Sequence, residues 1–152
     1  MNLVEIFSNP IINSSVLAWL IAQLLKGIFD LIKQKSFDPE RFWGAGGMPS
    51  SHSALVASLT VAVLLKDGFH STTFPIAFVF AFIVLYDAAG VRYAVGQQAK
   101  VLNVINRSNE VEKIFEKDLK EYLGHTKIEV VVGSLLGILV AYLYWYLSGK
   151  SV

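Results

Sequence analysis

Apolar residues in this chain gather into long blocks separated by shorter polar stretches, without the every-second-residue alternation that marks a β-strand. Four blocks have the composition of membrane-crossing helices, each of which needs about 20 mostly apolar residues. They run from about Ile11 to Ile32, Ser51 to Leu65, Phe74 to Val95 and Ile128 to Leu147. The second is short. The first and third carry charges, Lys26 and Asp30 in one, Asp87 and Arg92 in the other. The pattern predicts an all-α, polytopic transmembrane helical bundle of about four spans, a single domain over residues 1–152. A soluble bundle with a thick core is the competing reading. The opening residues MNLVEIFSN contain no Lys or Arg and no cleavage-type leader follows, so the first block is expected to be retained.

The connections are of two kinds. Lys33 to Met48 is a polar loop closing on Gly44-Ala45-Gly46-Gly47, and Lys66 to Thr73 is a short turn. The third connection, Gln97 to Lys127, is long and highly charged. Within it Val111, Ile114, Phe115, Tyr122 and Leu123 recur at helical spacing, which predicts an amphipathic helix on the membrane surface before the last span. Asn109 with Glu112 resembles a capping pair at its start, and Gly124 is a stop signal.

Composition agrees with a lipid environment. Hydrophobic residues make up 54% of the chain and charged ones 16%, against about 25% charged in soluble domains. Mean hydropathy is +0.52. With no cysteine, disulfides and thiolate metal sites are excluded. A net charge of +1 argues against a nucleic-acid partner held by bulk electrostatics. The charges are unevenly placed, however. Four spans put the first and third connections on one side, with Lys33, Lys35, Arg41, Lys100, Arg107, Lys113, Lys117, Lys120 and Lys127. The other side holds only Lys66 and Lys150. By the positive-inside rule the nine-charge side faces the cytoplasm and both termini lie outside.

Polar motifs fall on that same side. Gly47-Met48-Pro49-Ser50-Ser51-His52 opens the second span, Asp87-Ala88-Ala89-Gly90-Val91-Arg92 closes the third, and Gly124-His125-Thr126-Lys127-Ile128-Glu129 opens the fourth. Lys26 and Asp30 sit in the last turns of the first. Charges inside spans cost about 2.5–3.5 kcal/mol each at a helix centre, so they are paired in the bundle interior or functional. Each motif also has an ordinary structural explanation. Ser50 or Ser51 suits a helix cap, and Thr126 with Glu129 a capping box. Lys26 with Asp30 is spaced as an i,i+4 ion pair, and Asp87 and Arg92 can neutralise each other. Against these stand the anion affinity of a helix N-terminus behind glycines and the spacing of His125 and Glu129, which lets the carboxylate hold the imidazole in one tautomer.

Two histidines, cations and a helix N-terminus together suit phosphoryl transfer. Arg and Lys clamp phosphoryl oxygens, one histidine attacks phosphorus, and the other protonates the leaving oxygen. The scheme needs no metal or cofactor, and an apolar bundle around it suits a lipid phosphate.

At these residues the chain resembles a known family. Met48-Pro49-Ser50-Ser51-His52 is similar to the Pro-Ser-Gly-His motif of the type-2 phosphatidic acid phosphatase superfamily, which includes vanadium-dependent haloperoxidases. His125-x-x-x-Glu129 resembles its His-x-x-x-Asp motif. Gly-Gly-Met-Pro-Ser-Ser-His, Tyr-Asp-Ala-Ala-Gly-Val-Arg and Leu-Gly-His-Thr-x-x-Glu-Val, in this order, resemble its divergent bacterial and plant branch, and the similarity covers nearly the whole chain. The resemblance implies that His125 is the nucleophile forming a phosphohistidine and Glu129 its orienting carboxylate. It makes His52 the acid for the leaving group, Ser50 and Ser51 the phosphate-binding turn, and Arg92 the family's third-motif arginine. Several positions depart from the pattern. Thirty-two residues, Tyr93 to Gly124, separate Arg92 from His125, where the family has only a few. The family's first motif is absent, leaving Lys26 and Arg41 as nearest candidates, and Arg41 is followed by Phe42. Ser51 replaces a glycine and Glu129 an aspartate.

Two functions follow. One is a metal-independent lipid or isoprenoid phosphate phosphatase, an integral protein of a bacterial plasma membrane with its motif side cytoplasmic. The other is a non-catalytic membrane protein that binds an anionic lipid headgroup with the same residues. Asp87-Ala-Ala-Gly-Val-Arg92 also suggests a CDP-alcohol phosphotransferase, but the further paired aspartates that would bind its metal are missing. Gly133 and Gly137 form a Gly-x-x-x-Gly face on the fourth span, which predicts a homodimer through that face.

Overall fold

The computed structural model describes residues 8–34, 46–108, 115–121 and 123–149. They form five helices: α1 (Pro10–Gln34), α2 (Ser51–Asp67), α3 (Thr73–Ala89), α4 (Val91–Arg107) and α5 (Lys127–Leu147), with no strand among the described residues. Local chemistry sets the starts. The Asn9 side chain accepts the Ile11 N–H at 3.0 Å and Pro10 occupies the first helical position, where its missing N–H costs nothing. Ser50 caps α2 and Thr126 caps α5.

α2 lies at the centre of the bundle, packed against α1, α3 and α5. Small residues make this possible. The core is Ala18, Ala22, Ala54 and Val140, with Ile21 and Leu136 against it. A Cβ on Gly133 would fall 2.3 Å from the Ser50 carbonyl oxygen, and one on Gly137 would fall 2.1 Å from that of Ala54. The expected Gly-x-x-x-Gly face therefore exists, but α2 of the same chain fills it, which corrects the expected dimer contact. The pairing of 50 with 133 and 54 with 137 also shows that α2 and α5 run parallel. Asn13 near the start of α1 meets Tyr144 near the end of α5 at 3.5 Å, so those two are antiparallel. The chain thus runs up and down, bringing the end of α1, the start of α2, the end of α3 and the start of α5 to one end.

Large apolar side chains point outward. Leu24, Ile76, Phe82 and Ile128 are 62%, 70%, 64% and 69% exposed. Water would penalise each by about 1.5–3 kcal/mol relative to burial, whereas lipid does not. Pro10–Ile32, the run Thr73–Arg107 and Lys127–Leu147 are long and apolar enough to cross a membrane. α2, with 17 residues, spans about 25 Å and is sheathed by the other three. The molecule is a helical membrane bundle.

Two boundaries differ from expectation. The third span stops at Ala89 rather than near Val95, and a new helix starts after Gly90. The helix before the last span is α4, not the expected one over Val111–Leu123. Residues 109–114 and 122 lie outside the described residues, but 115–121 contain no helix. Two buried asparagines of α4 explain this. Asn106 donates to the Phe115 carbonyl at 3.0 Å and accepts its N–H at 2.9 Å, while Asn103 makes the same two bonds with Leu119, both at 2.8 Å. Side chains thus satisfy backbone groups that a helix would have paired internally.

Candidate active site

The motif end is tied together by main chain. The Ser50 N–H donates to the Glu129 carbonyl at 3.2 Å, joining the start of α2 to that of α5. The His125 N–H donates to the Ala88 carbonyl at 3.1 Å, joining the segment before α5 to the end of α3. Gly124 makes the second junction possible. Its φ is +87°, a conformation only glycine adopts readily, and a Cβ there would fall 2.2 Å from the Tyr93 nitrogen. The expected helix stop at Gly124 is instead the point where this segment presses on the first turn of α4.

His125 is buried, 4% exposed at its side chain. Its Nδ1 lies 3.3 Å from Glu129 Oε2, and the same oxygen accepts the Thr126 N–H at 3.0 Å. The Thr126 hydroxyl in turn accepts the Glu129 N–H at 3.4 Å, completing a capping box. The capping and orienting explanations of Glu129 are therefore both satisfied, by one carboxylate locked in place. With Nδ1 on Glu129, the other ring nitrogen of His125 is left to the pocket.

That pocket, of about 20 Å³, is lined by His52, Val84, Asp87, Ala88, Arg92 and His125. It is room for about one water. His52, the second residue of α2, is exposed at its rim, and α3 supplies the apolar wall. Arg92 Nε donates to Asp87 Oδ2 at 2.5 Å, with half of the arginine side chain in the open. The contact uses Nε, which leaves the two terminal amino groups of Arg92 available to another acceptor. On the far side of Glu129 a larger cavity of about 450 Å³ includes Phe29, Asp30, Met48, Tyr93 and Glu121 in its lining.

The remaining expected site residues are placed differently. Ser50 is fully buried as the α2 cap: its Oγ accepts the Ser53 N–H at 3.4 Å and the Ser53 hydroxyl at 2.8 Å. Ser51 is buried as well, and neither lines the pocket. Lys26 is 1% exposed and lies behind the glycine turn, where a Cβ on Gly47 would meet its Cε at 3.1 Å. Arg41 lies outside the described residues. Sequence reading passed over Ser53, Asn103 and Asn106. Only the polarity of the last two within an otherwise apolar run, three apart on one face, signalled their place.

A buried histidine–carboxylate pair facing a second histidine and an arginine, at one end of a membrane bundle, defines the class of protein expected from the motifs. The chain belongs to the Divergent PAP2 family, whose model matches residues 7–140. It is 38% identical over 154 aligned residues to the Uncharacterized membrane protein YuiD of Bacillus subtilis (strain 168), covering 93% of this chain and 98% of that one. No solved structure matches it. It is an integral membrane protein.

Proposed function

We propose that the protein is a phosphatase of lipid or isoprenoid phosphates that works through a phosphohistidine. The observation that carries this reading is the buried His125, held at Nδ1 by Glu129 and presenting its other nitrogen to a pocket shared with His52 and Arg92. In the first step that nitrogen attacks phosphorus, the P–O ester bond breaks, and His52 gives its proton to the departing alkoxide. The charge developing on the imidazole is balanced by Glu129, and the phosphoryl oxygens are held by the terminal amino groups of Arg92. In the second step water attacks phosphorus, His52 takes its proton, the N–P bond breaks, and phosphate leaves. Both histidines return to their starting states. The residues named supply every step, so turnover is expected to persist in EDTA. Lys26, buried behind the turn that carries His52, adds positive potential to the same end.

The nine-to-two distribution of Lys and Arg supports a plasma-membrane orientation with this end in the cytoplasm. A cytoplasmic reporter fused at Val152 would overturn that orientation. The alternative reading, a non-catalytic receptor for an anionic headgroup, draws on the Arg92–Asp87 pair and the water-sized pocket. The deciding experiment is phosphate release from a panel of lipid and isoprenoid phosphates in detergent, with EDTA present. Turnover by wild type and none by His125→Ala supports the phosphatase. No turnover on any substrate, with anionic vesicles still bound through Arg92, establishes the receptor.

A further inference from the structure

α4 is built inside out. Its buried positions are Gly96, Ala99, Asn103 and Asn106, a stripe of small and polar residues covered by the chain's own Phe115, Leu119, Glu121 and Leu123. Its larger aliphatic residues are outside: Val91, Val95, Val101, Leu102, Val104 and Ile105 are between 40% and 65% exposed. At 100° per residue Val91, Val95, Leu102 and Ile105 share one face, which Gln98 interrupts, and Lys100 lies opposite Val91. The helix holds Arg92, Lys100 and Arg107 and no acidic residue. It makes no packing contact with α1, α2 or α5.

We propose that this face of α4 docks on the phospholipid surface at the motif end, with the helix lying in the headgroup layer. Three observations select lipid. α4 starts one residue after α3 ends, so it emerges where a membrane-crossing helix reaches the interface. Its buried polar stripe is already satisfied inside the chain, which leaves the exposed apolar face to be covered. Its cations lie off the apolar face; Arg92 pairs with Asp87 and Arg107 with Asp118, and Lys100 is left to complement lipid phosphates, in the manner of interfacial helices. Docking would hold the first turn of α4, and with it Arg92, at headgroup depth. The proposal stands whether or not the site turns over substrate.

The chain has no cysteine, so a single introduced one can be labelled uniquely. Leu102→Cys and Lys100→Cys would each carry a nitroxide in the full-length protein, reconstituted in vesicles of phosphatidylcholine and phosphatidylglycerol. Collision with oxygen, which concentrates in lipid, is compared with collision with a water-soluble nickel chelate. The expected result is oxygen dominant at 102 and chelate dominant at 100. Chelate dominance at both positions would place α4 in water and overturn the proposal. So would a label at 102 that neither reagent reaches and that shows spin–spin broadening, because a second copy would then cover the face. A spectrum of each labelled variant with the line shape of an ordered helix guards against misfolding, and Val95→Cys, on the same face, must repeat the result at 102.

Discussion

Glu129→Gln separates two roles that one carboxylate performs. Oε2 accepts the Thr126 N–H at 3.0 Å and lies 3.3 Å from His125 Nδ1. A glutamine keeps an oxygen for the Thr126 N–H and keeps the backbone N–H that the threonine caps, so the loss in stability should stay below about 1 kcal/mol. What it removes is negative charge beside an imidazole that becomes cationic on attack. At 3.3 Å and an effective dielectric of about 20, that charge contributes about 5 kcal/mol. The Glu129 side chain is 21% exposed, so solvent reduces the figure; half of it, about 2.5 kcal/mol, corresponds to a rate loss of about 10²-fold. The assay is single-turnover phosphate release in detergent, beside a thermal melt of the same sample. A variant that melts like wild type and turns over within threefold of it would show that Glu129 is a helix cap and nothing more, and the proposed orientation of His125 would fail with it.

Four further outcomes are expected. His125→Ala should abolish both turnover and any phosphoenzyme trapped by acid quench. His52→Ala should slow alkyl phosphates far more than activated aryl phosphates, whose leaving groups need little protonation; equal slowing of both would remove His52 from the acid role. Asp87→Asn should release Arg92 from its pair and lower KM with little change in kcat, and a raised KM would mean that Asp87 positions the arginine rather than competing for it. Gly137→Leu should lower the melting temperature, by the equivalent of 1–3 kcal/mol or more of overpacking at about the Ala54 backbone, and change no oligomeric mass.

Much of the architecture was legible because lipid leaves a coarse signature. Blocks of apolar residues with polar motifs at their ends determine which helix ends meet, and the structure brings the Ser50–His52, Asp87–Arg92 and His125–Glu129 motifs to one end as that logic requires. The details that escaped have a common cause: helix periodicity reports which face is apolar, not what covers it. On Val111, Ile114 and Phe115 the periodicity suggested a helix, but side chains of Asn106 and Asn103 claim the backbone of Phe115 and Leu119. The glycines at 133 and 137 announced close approach without naming the partner, which is α2 and not a second chain. In sequence, Ser50 and Ser51 fit equally well as phosphate ligands or caps; in the structure the Ser50 hydroxyl bonds to Ser53 as the cap of α2.

The parallel contact of α2 and α5 carries a mechanical consequence. With the Ser50 and Ala54 carbonyls seated against Gly133 and Gly137, neither helix can slide or rotate against the other without backbone collision. His52 and Glu129 ride on this stiff pair, and the Ser50–Glu129 main-chain bond clamps its end. Asp87 and Arg92 ride instead on α3 and the start of α4, joined at Gly90 and held to the pair through the buried Ala77, Ala81 and Ala88 and the His125–Ala88 main-chain bond. A pocket with room for one water can admit a phosphoryl group only if a wall gives way. The stator is α2 with α5, so the part of the wall with room to move is the half-exposed side chain of Arg92.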